Sequence, residues 1–285
     1  MARDVAKASL YTAPINLWVE DEVTRAYLDA LWGSPLVRFL IGGGNEGVLA
    51  IVNDAEKADY PNVFAVIDRD FRRTNRANWS DPAKKSRRFI LPVHEIENYL
   101  LDAPALADCR LNNLNKTADE IEAMMLAEAR RSSWWAASRD VVAEMRRRFR
   151  EGFLGDPSRD VSSEAQARDH ICQSTWFQEL RREIDRTTEA DIHRLLDVAY
   201  HRAEQALADG SWRTEFAGKE ILRDVGSRIC DRNKIPGYRP TASQFDEDLA
   251  KEVGAWQRDN QKVPEDLIEL LTALRQRIAR PPAGP

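Results

Sequence analysis

Two short apolar runs in the first seventy residues end in clusters of acid. Asn16, Leu17, Trp18 and Val19 run into Glu20, Asp21 and Glu22, and Phe64, Ala65, Val66 and Ile67 run into Asp68, Arg69 and Asp70. Apolar runs of this length are expected to be strands. In an open parallel sheet, ligands bind beyond the carboxyl ends of the strands. If the two runs pair as neighbours, Glu20, Asp68 and Asp70 meet at the top of the sheet, where like charges raise one another's pKa unless a cation intervenes. Carboxylate oxygens suit Mg²⁺ (or Mn²⁺), an ion that keeps several waters and takes one or two protein carboxylates plus substrate phosphate. Such an ion can polarise a phosphoryl oxygen and lower the pKa of a water, while a carboxylate outside direct ligation acts as general acid or base. Phosphodiester cleavage is the chemistry this pattern prepares.

The elements that must position these acids follow from local pattern. Ile15–Val19 reads as a strand, and Glu22–Trp32 as a helix with Val23, Ala26, Tyr27 and Ala30 on one side. Leu36–Ile41 is a second strand, closed by Gly42, Gly43 and Gly44; Val48–Ala58 is a helix, Val63–Ile67 the most apolar strand and Arg88–Val93 a fourth. This βαβαβ unit with an added strand predicts the α/β class, a mostly parallel sheet flanked by helices. After about Leu101 the chain turns helical: Asp119–Phe149, Asp191–Ala208, Lys219–Cys230, Gln244–Trp256 and Pro264–Ile278. Residues 1–115 are therefore expected to form the catalytic domain and 116–285 a largely α-helical domain or cover, with 280–285 frayed.

A chain of 285 residues with 43% hydrophobic content can bury one core or two. The net charge of -5 argues against a uniformly basic nucleic-acid-coating protein, which would gain its affinity by neutralising phosphates. Charge is instead local. Arg69, Arg72, Arg73, Arg76, Lys84, Lys85, Arg87 and Arg88 form a basic segment expected to guide a nucleic-acid backbone, and equally readable as a solvated loop. Arg146, Arg147, Arg148 and Arg150 form a second run, read first as a solvated face. Cys109, Cys172 and Cys230 lack CxxC spacing, and His94, His170, His193 and His201 form no ligand motif with them, so a reducing cytoplasm is expected and structural zinc is not. Neither a signal pattern nor an apolar run of roughly 20 residues is present, so no membrane partner is expected.

The runs LWVEDE (17–22), IGGGNEGV (41–48), VIDRDF (66–71) and HEIENYLL (94–101) resemble the Toprim core. More closely, they are similar to the Toprim-like, OLD/Toprim-related nuclease family found beside ABC-type ATPases in bacterial defence loci, the PARIS effector subunit among them. WRTEFAGKEIL (212–222) resembles that family's glycine-lysine helix start, so the likeness spans roughly the first 100 residues and this later patch. It implies a Mg²⁺-dependent endonuclease acting in anti-phage defence on DNA or RNA, transfer RNA included. It further implies an ABC-type ATPase partner and leaves room for a homodimer. Carried over residue by residue, Glu20 would be a metal ligand or acid-base group and Asp68 and Asp70 the DxD ligands. Glu95 and Glu97 would add second-shell or second-metal carboxylates, and Lys219 would stabilise transition-state charge. One departure stands out: the family's turn after the glutamate contains glycine, whereas Asp21 and Glu22 follow here directly.

Other readings of the same residues stay open. Asp68 and Asp70 can cap the segment that follows them. His94 to Asn98 can be a polar helix start whose Ile96, Leu100 and Leu101 face the core, and Lys219 an ordinary first-turn lysine. Trp134 and Trp135 read as packing or partner contacts rather than base-stacking platforms. Gly42, Gly44 and Gly47 satisfy GxGxxG between a strand and a helix, so a dinucleotide site is a rival, although it falls on the second strand and leaves Glu20 and Asp70 unexplained. A phosphoacceptor receiver domain would also use the acids, but the strand that should supply its hydroxyl or lysine ends in His94. A non-catalytic Toprim-like interaction module is the third alternative.

Overall fold

The computed structural model describes residues 10–70, 87–151, 175–235, 238 and 240–278. The first elements are β1 (Ile15–Val19), α1 (Glu22–Trp32), β2 (Val37–Ile41), α2 (Asn45–Lys57), β3 (Val63–Ile67) and β4 (Arg88–Ile90). All three strand pairings are parallel, in the order β2-β1-β3-β4. Every residue of β3 is buried, as expected for a parallel strand covered on both faces. From β1 the chain steps to one side to make β2, then returns past β1 to make β3. Strand order thus reverses between β1 and β3, the position at which parallel sheets open a crevice.

Right-handed crossovers put α1 and α2 on opposite faces of such a sheet. On one face Val48, Val52 and Ala55 of α2 meet Val63, Ala65 and Ile67 of β3. The alternate residues, Leu17, Phe64 and Phe89, are buried on the other face. There Phe64 and Phe89 lie 6.4 Å apart between ring centroids. α1 starts at Asp21, whose Oδ1 accepts from the Thr24 amide at 2.9 Å and the Thr24 hydroxyl at 2.8 Å. This is ordinary N-capping, and it gives Asp21 a local role; Glu22 pairs with Arg25 one turn on at 2.6 Å. The helix ends at Gly33, whose φ of +50° is left-handed.

A 3-10 turn, Ile96–Leu100, leads into the helical remainder: α3 (Ala103–Asp108), α4 (Ala118–Arg131), α5 (Ser133–Glu151), α6 (Thr175–Arg186), α7 (Glu189–Asp209), α8 (Trp212–Glu215), α9 (Gly218–Ile229), α10 (Ala242–Asp259) and α11 (Glu265–Ile278). Several elements differ from expectation: α2 starts at Asn45 rather than Val48, and Ala103–Asp108 and Thr175–Arg186 are helices that the pattern did not offer. β4 stops at Ile90 rather than Val93, and Pro92, with no N–H to give, cannot extend the ladder. The single helix expected over Asp119–Phe149 is two, because the Ser133 hydroxyl bonds the Arg130 carbonyl at 3.1 Å and so competes with the helical backbone. No helix among the described residues is long and apolar enough to cross a membrane.

The compact units also differ from the expected division at 115/116. One unit runs to Ala129 and resumes at Arg213; the other is Arg130–Trp212. The reason lies in α10, which packs on α1 within the first unit. Buried Tyr27 donates its hydroxyl to buried Gln257 at 2.7 Å, and Gln257 Nε2 reaches Asp102 at 2.9 Å and the Tyr99 carbonyl at 3.1 Å. The second unit has its own small core, with Ala137 and Val141 of α5 against Ala199 of α7, and Trp134 stacks on Tyr200 at 3.6 Å between centroids.

The α1–α10 crossing is close enough that a Cβ on Gly254 would sit 2.7 Å from the Tyr27 carbonyl oxygen and 3.2 Å from the Leu31 nitrogen. Helix propensity alone favours alanine over glycine by about 1 kcal/mol. Backbone crowding should reverse that sign, so Gly254→Ala is expected to lower the urea unfolding free energy by about 1–3 kcal/mol. An unchanged or raised midpoint would mean that the helices do not cross at this distance.

Candidate active site

Parallel pairing of β1 with β3 (Leu17 beside Phe64, Trp18 beside Ala65) brings their carboxyl ends side by side. Glu20 leaves β1 and Asp68 leaves β3. The Asp68 amide donates to Glu20 Oε1 at 2.9 Å, so the two acids expected to converge do meet. Asp68 Oδ1 in turn accepts from the Ile96 amide at 3.0 Å. Glu95, beside Ile96, accepts from the Lys219 amide at 2.6 Å through Oε1 and so caps α9; the Glu95 carboxylate also accepts from the Asn98 amide in a capping box. A series of carboxylate-to-amide bonds therefore links the ends of β1 and β3, the 94–98 segment and the start of α9.

Close backbone approach joins the start of α9 to the 94–98 segment. A Cβ on Gly218 would fall 2.6 Å from the Asn98 nitrogen and 2.8 Å from the Glu97 carbonyl carbon, so only glycine lets α9 begin against this turn. Asn98 Nδ2 donates to the carbonyls of Arg213 at 2.7 Å and Phe216 at 2.8 Å. Lys219 Nζ lies 4.0 Å from Glu97 Oε1. Glu97 is 3% exposed, and its pKa is pushed up to about 8, first by burial, then by the charges of Glu95 and Asp21; its own amide and Lys219 act in the opposite direction. The Asp68 carboxyl is held well above the usual carboxylate range, first by burial, then by Glu97, Glu20, Glu95 and Asp21 in that order.

The structure thus brings Glu20, Asp68, Glu95, Glu97 and Lys219 together and adds Asp21, whose part the sequence left open. Asp70 stands differently. It adopts a left-handed φ of +51°, which aspartate tolerates, and its amide donates to the His94 carbonyl at 2.7 Å. The charge that weighs most on Asp68 is that of Glu97. Glu95, expected as a metal carboxylate, has Oε1 bound to the Lys219 amide. Arg69, expected on phosphate, instead forks onto Glu215 at 3.1 and 3.0 Å and bonds the Thr214 carbonyl at 2.8 Å. Of the remaining basic segment, Arg72, Arg73, Arg76, Lys84 and Lys85 lie outside the described residues. Arg87 bonds the Tyr60 carbonyl at 2.8 Å, and Arg88 pairs with Glu56 at 2.9 Å.

The glycine turn serves the same site. Gly42 N–H donates to the Val19 carbonyl at 2.9 Å and Gly44 N–H to the Glu20 carbonyl at 3.2 Å, tying the start of α2 to the end of β1. Gly44 takes φ +106°, and a Cβ on Gly47 would lie 2.4 Å from the Gly42 oxygen. Turn geometry accounts for these glycines without a dinucleotide. Sequence reasoning missed Glu215 and Asn98; the Glu95-x-x-Asn98 spacing was the one local signal available.

As donors, Glu20, Asp68 and Glu97 fit a hard divalent cation in kind, since they are all oxygen, in charge surplus over Lys219 and partly desolvated. Among the described residues, however, no group of three or more histidine, cysteine, aspartate or glutamate side chains is drawn close enough to hold a metal ion.

A raised carboxyl pKa has a defined sign for stability. Between pH 4.5, the ordinary value for Glu97, and about 8, the folded chain holds a proton that the unfolded chain releases, so stability is full below that window and is lost as pH rises through it. In chelator, urea unfolding of the protein should weaken by up to a few kcal/mol across this range, because each tenfold difference in proton affinity between the folded and unfolded chain is worth about 1.4 kcal/mol. Glu97→Gln, neutral at every pH, should reduce the slope, leaving the part that the raised Asp68 carboxyl contributes. Equal slopes in both proteins would remove Glu97 as the buried acid. No protein-family model and no curated protein matches the chain.

Proposed function

We propose that the chain is a Mg²⁺- or Mn²⁺-dependent endonuclease of Toprim type, hydrolysing phosphodiester bonds of DNA or RNA. In this reading it acts as the effector of a bacterial anti-phage system with an ABC-type ATPase partner. The observation that carries the reading is the Asp68 amide bond to the Glu20 carboxylate at the strand-order reversal, with Glu97 and Lys219 closing over it. The motif resemblance supplies the defence role and the ATPase.

Glu20 and Asp68, with Glu97 beside them, would have to draw closer together than they stand in this structure to hold the cation. When bound, it would polarise the phosphoryl oxygen and make a water acidic. Within the chain, the amides of Asp68 and Ile96 orient one oxygen each of Glu20 and Asp68, so the carboxylates keep one geometry. Where Glu97 stays outside direct ligation, its pKa of about 8 would let it hold or release a proton near neutral pH, as a general acid or base must. Lys219, 4.0 Å away, places positive charge where phosphate charge would gather.

The same amide bonds support the alternative of a non-catalytic module, because a carboxylate bound to backbone can be purely structural. Incubation with plasmid, single-stranded DNA and total RNA, in Mg²⁺ or Mn²⁺ against chelator and with or without the neighbouring ATPase, separates the two. Cleavage should need the cation, and Glu20→Ala and Asp68→Ala should each abolish it and the accompanying cellular toxicity while circular dichroism stays native. Cleavage surviving in both variants would assign the acids to architecture alone.

A further inference from the structure

Arg69 stands between the two acids of the DxD run, where a cation would ordinarily be offered to substrate phosphate. Its side chain is 14% exposed, against 61% for Arg223 and 87% for Arg110, which also sit in ion pairs. Both terminal nitrogens engage Glu215, at 3.1 and 3.0 Å, and Nη2 also reaches the Thr214 carbonyl at 2.8 Å. That carbonyl accepts a second bond, from the His94 amide at 2.9 Å, and the His94 carbonyl accepts the Asp70 amide at 2.7 Å. Arg69, Thr214, His94 and Asp70 thus close a ring. On one side of the ring lies Asp68, bound to the Ile96 amide; on the other, Glu95 holds the start of α9.

We propose that Arg69 is a positioning residue of the acidic site, acting through Glu215 and the Thr214 carbonyl to fix the turn carrying Asp68 against the segment carrying Glu97. The fork onto Glu215 engages both terminal nitrogens of Arg69, while its buried Nε has no hydrogen-bond partner among the described residues; a lysine, as a point charge, cannot reproduce the two-pronged geometry. The inference rests on the metal-dependent reading above. It assigns to architecture a residue that the basic segment alone would assign to nucleic acid.

The test reads metal and substrate binding separately. Mn²⁺ affinity, followed by electron paramagnetic resonance, is compared across the wild type, Arg69→Ala, Arg69→Lys, Glu215→Ala and the Arg69→Ala/Glu215→Ala pair. Glu215→Gln replaces the alanine variant should that one fail to fold. Each single change is expected to weaken Mn²⁺ binding roughly 10- to 100-fold, as for other residues that orient ligands. The double variant should be no worse than the weaker single, and Arg69→Lys should not rescue. The salt dependence of binding to a labelled single-stranded oligonucleotide should keep its slope in every variant. A slope reduced by about 1 in Arg69→Ala, with Mn²⁺ binding untouched in Glu215→Ala, would make Arg69 a phosphate contact and overturn the proposal. A wild type that binds no Mn²⁺ overturns this proposal together with the nuclease reading, whereas normal Mn²⁺ binding in all variants overturns the clamp alone.

Discussion

The hydrogen bond from the Asp68 amide to the Glu20 carboxylate is the contact on which the upper surface of the sheet depends. It exists because β1 and β3 are parallel neighbours at the one place where strand order reverses. Given that bond, Asp68 can reach the Ile96 amide, Glu95 can cap α9, and Lys219 is delivered to Glu97. Each step is short-range, yet it joins residues far apart along the chain. Removing the first step leaves the Glu20 carboxylate beside Asp68 without that amide donor.

These acids do two jobs that pull in opposite directions. Carboxylates accept backbone amides well, and such bonds favour the ionised form. Burial and mutual repulsion favour the neutral one, and for Asp68 and Glu97 they win. A purely architectural turn would be more stable with asparagine or glutamine at these places. Carboxyl groups perturbed this far by burial and by one another occur at functional sites, and structural networks of charge produce them as well.

Much of the first hundred residues could be read locally. β1, α1 and β3 fall where apolar period and flanking residues place them, because each element's burial pattern is written in its own five to eleven residues. The adjacency of Glu20 and Asp68 followed from the strand-end rule once the sheet was parallel. What could not be read were relations between distant segments. Glu215 captures Arg69 across 146 positions, and Gln257 meets Tyr27 across 230. Nothing local in the carboxy-terminal helices says that α10 returns to α1, so the rejoining of the first compact unit from Arg213 onward was not legible. The DxD spacing likewise drew attention to Asp70, whereas Glu97 weighs more on Asp68 because a 3-10 turn carries it over the strand end.

The wide separation of the pocket's walls matters for a polypeptide that emerges from the ribosome amino end first. Glu20 and Asp68 appear early, but Asn98 must wait 118 residues for the Phe216 carbonyl, and the exposed side of α1 longer still for α10. Throughout that interval the acids stand at an unfinished surface, without Lys219 and without the glycine helix start that seals it. Translation itself therefore delays assembly of the acidic cluster until most of the molecule has been made.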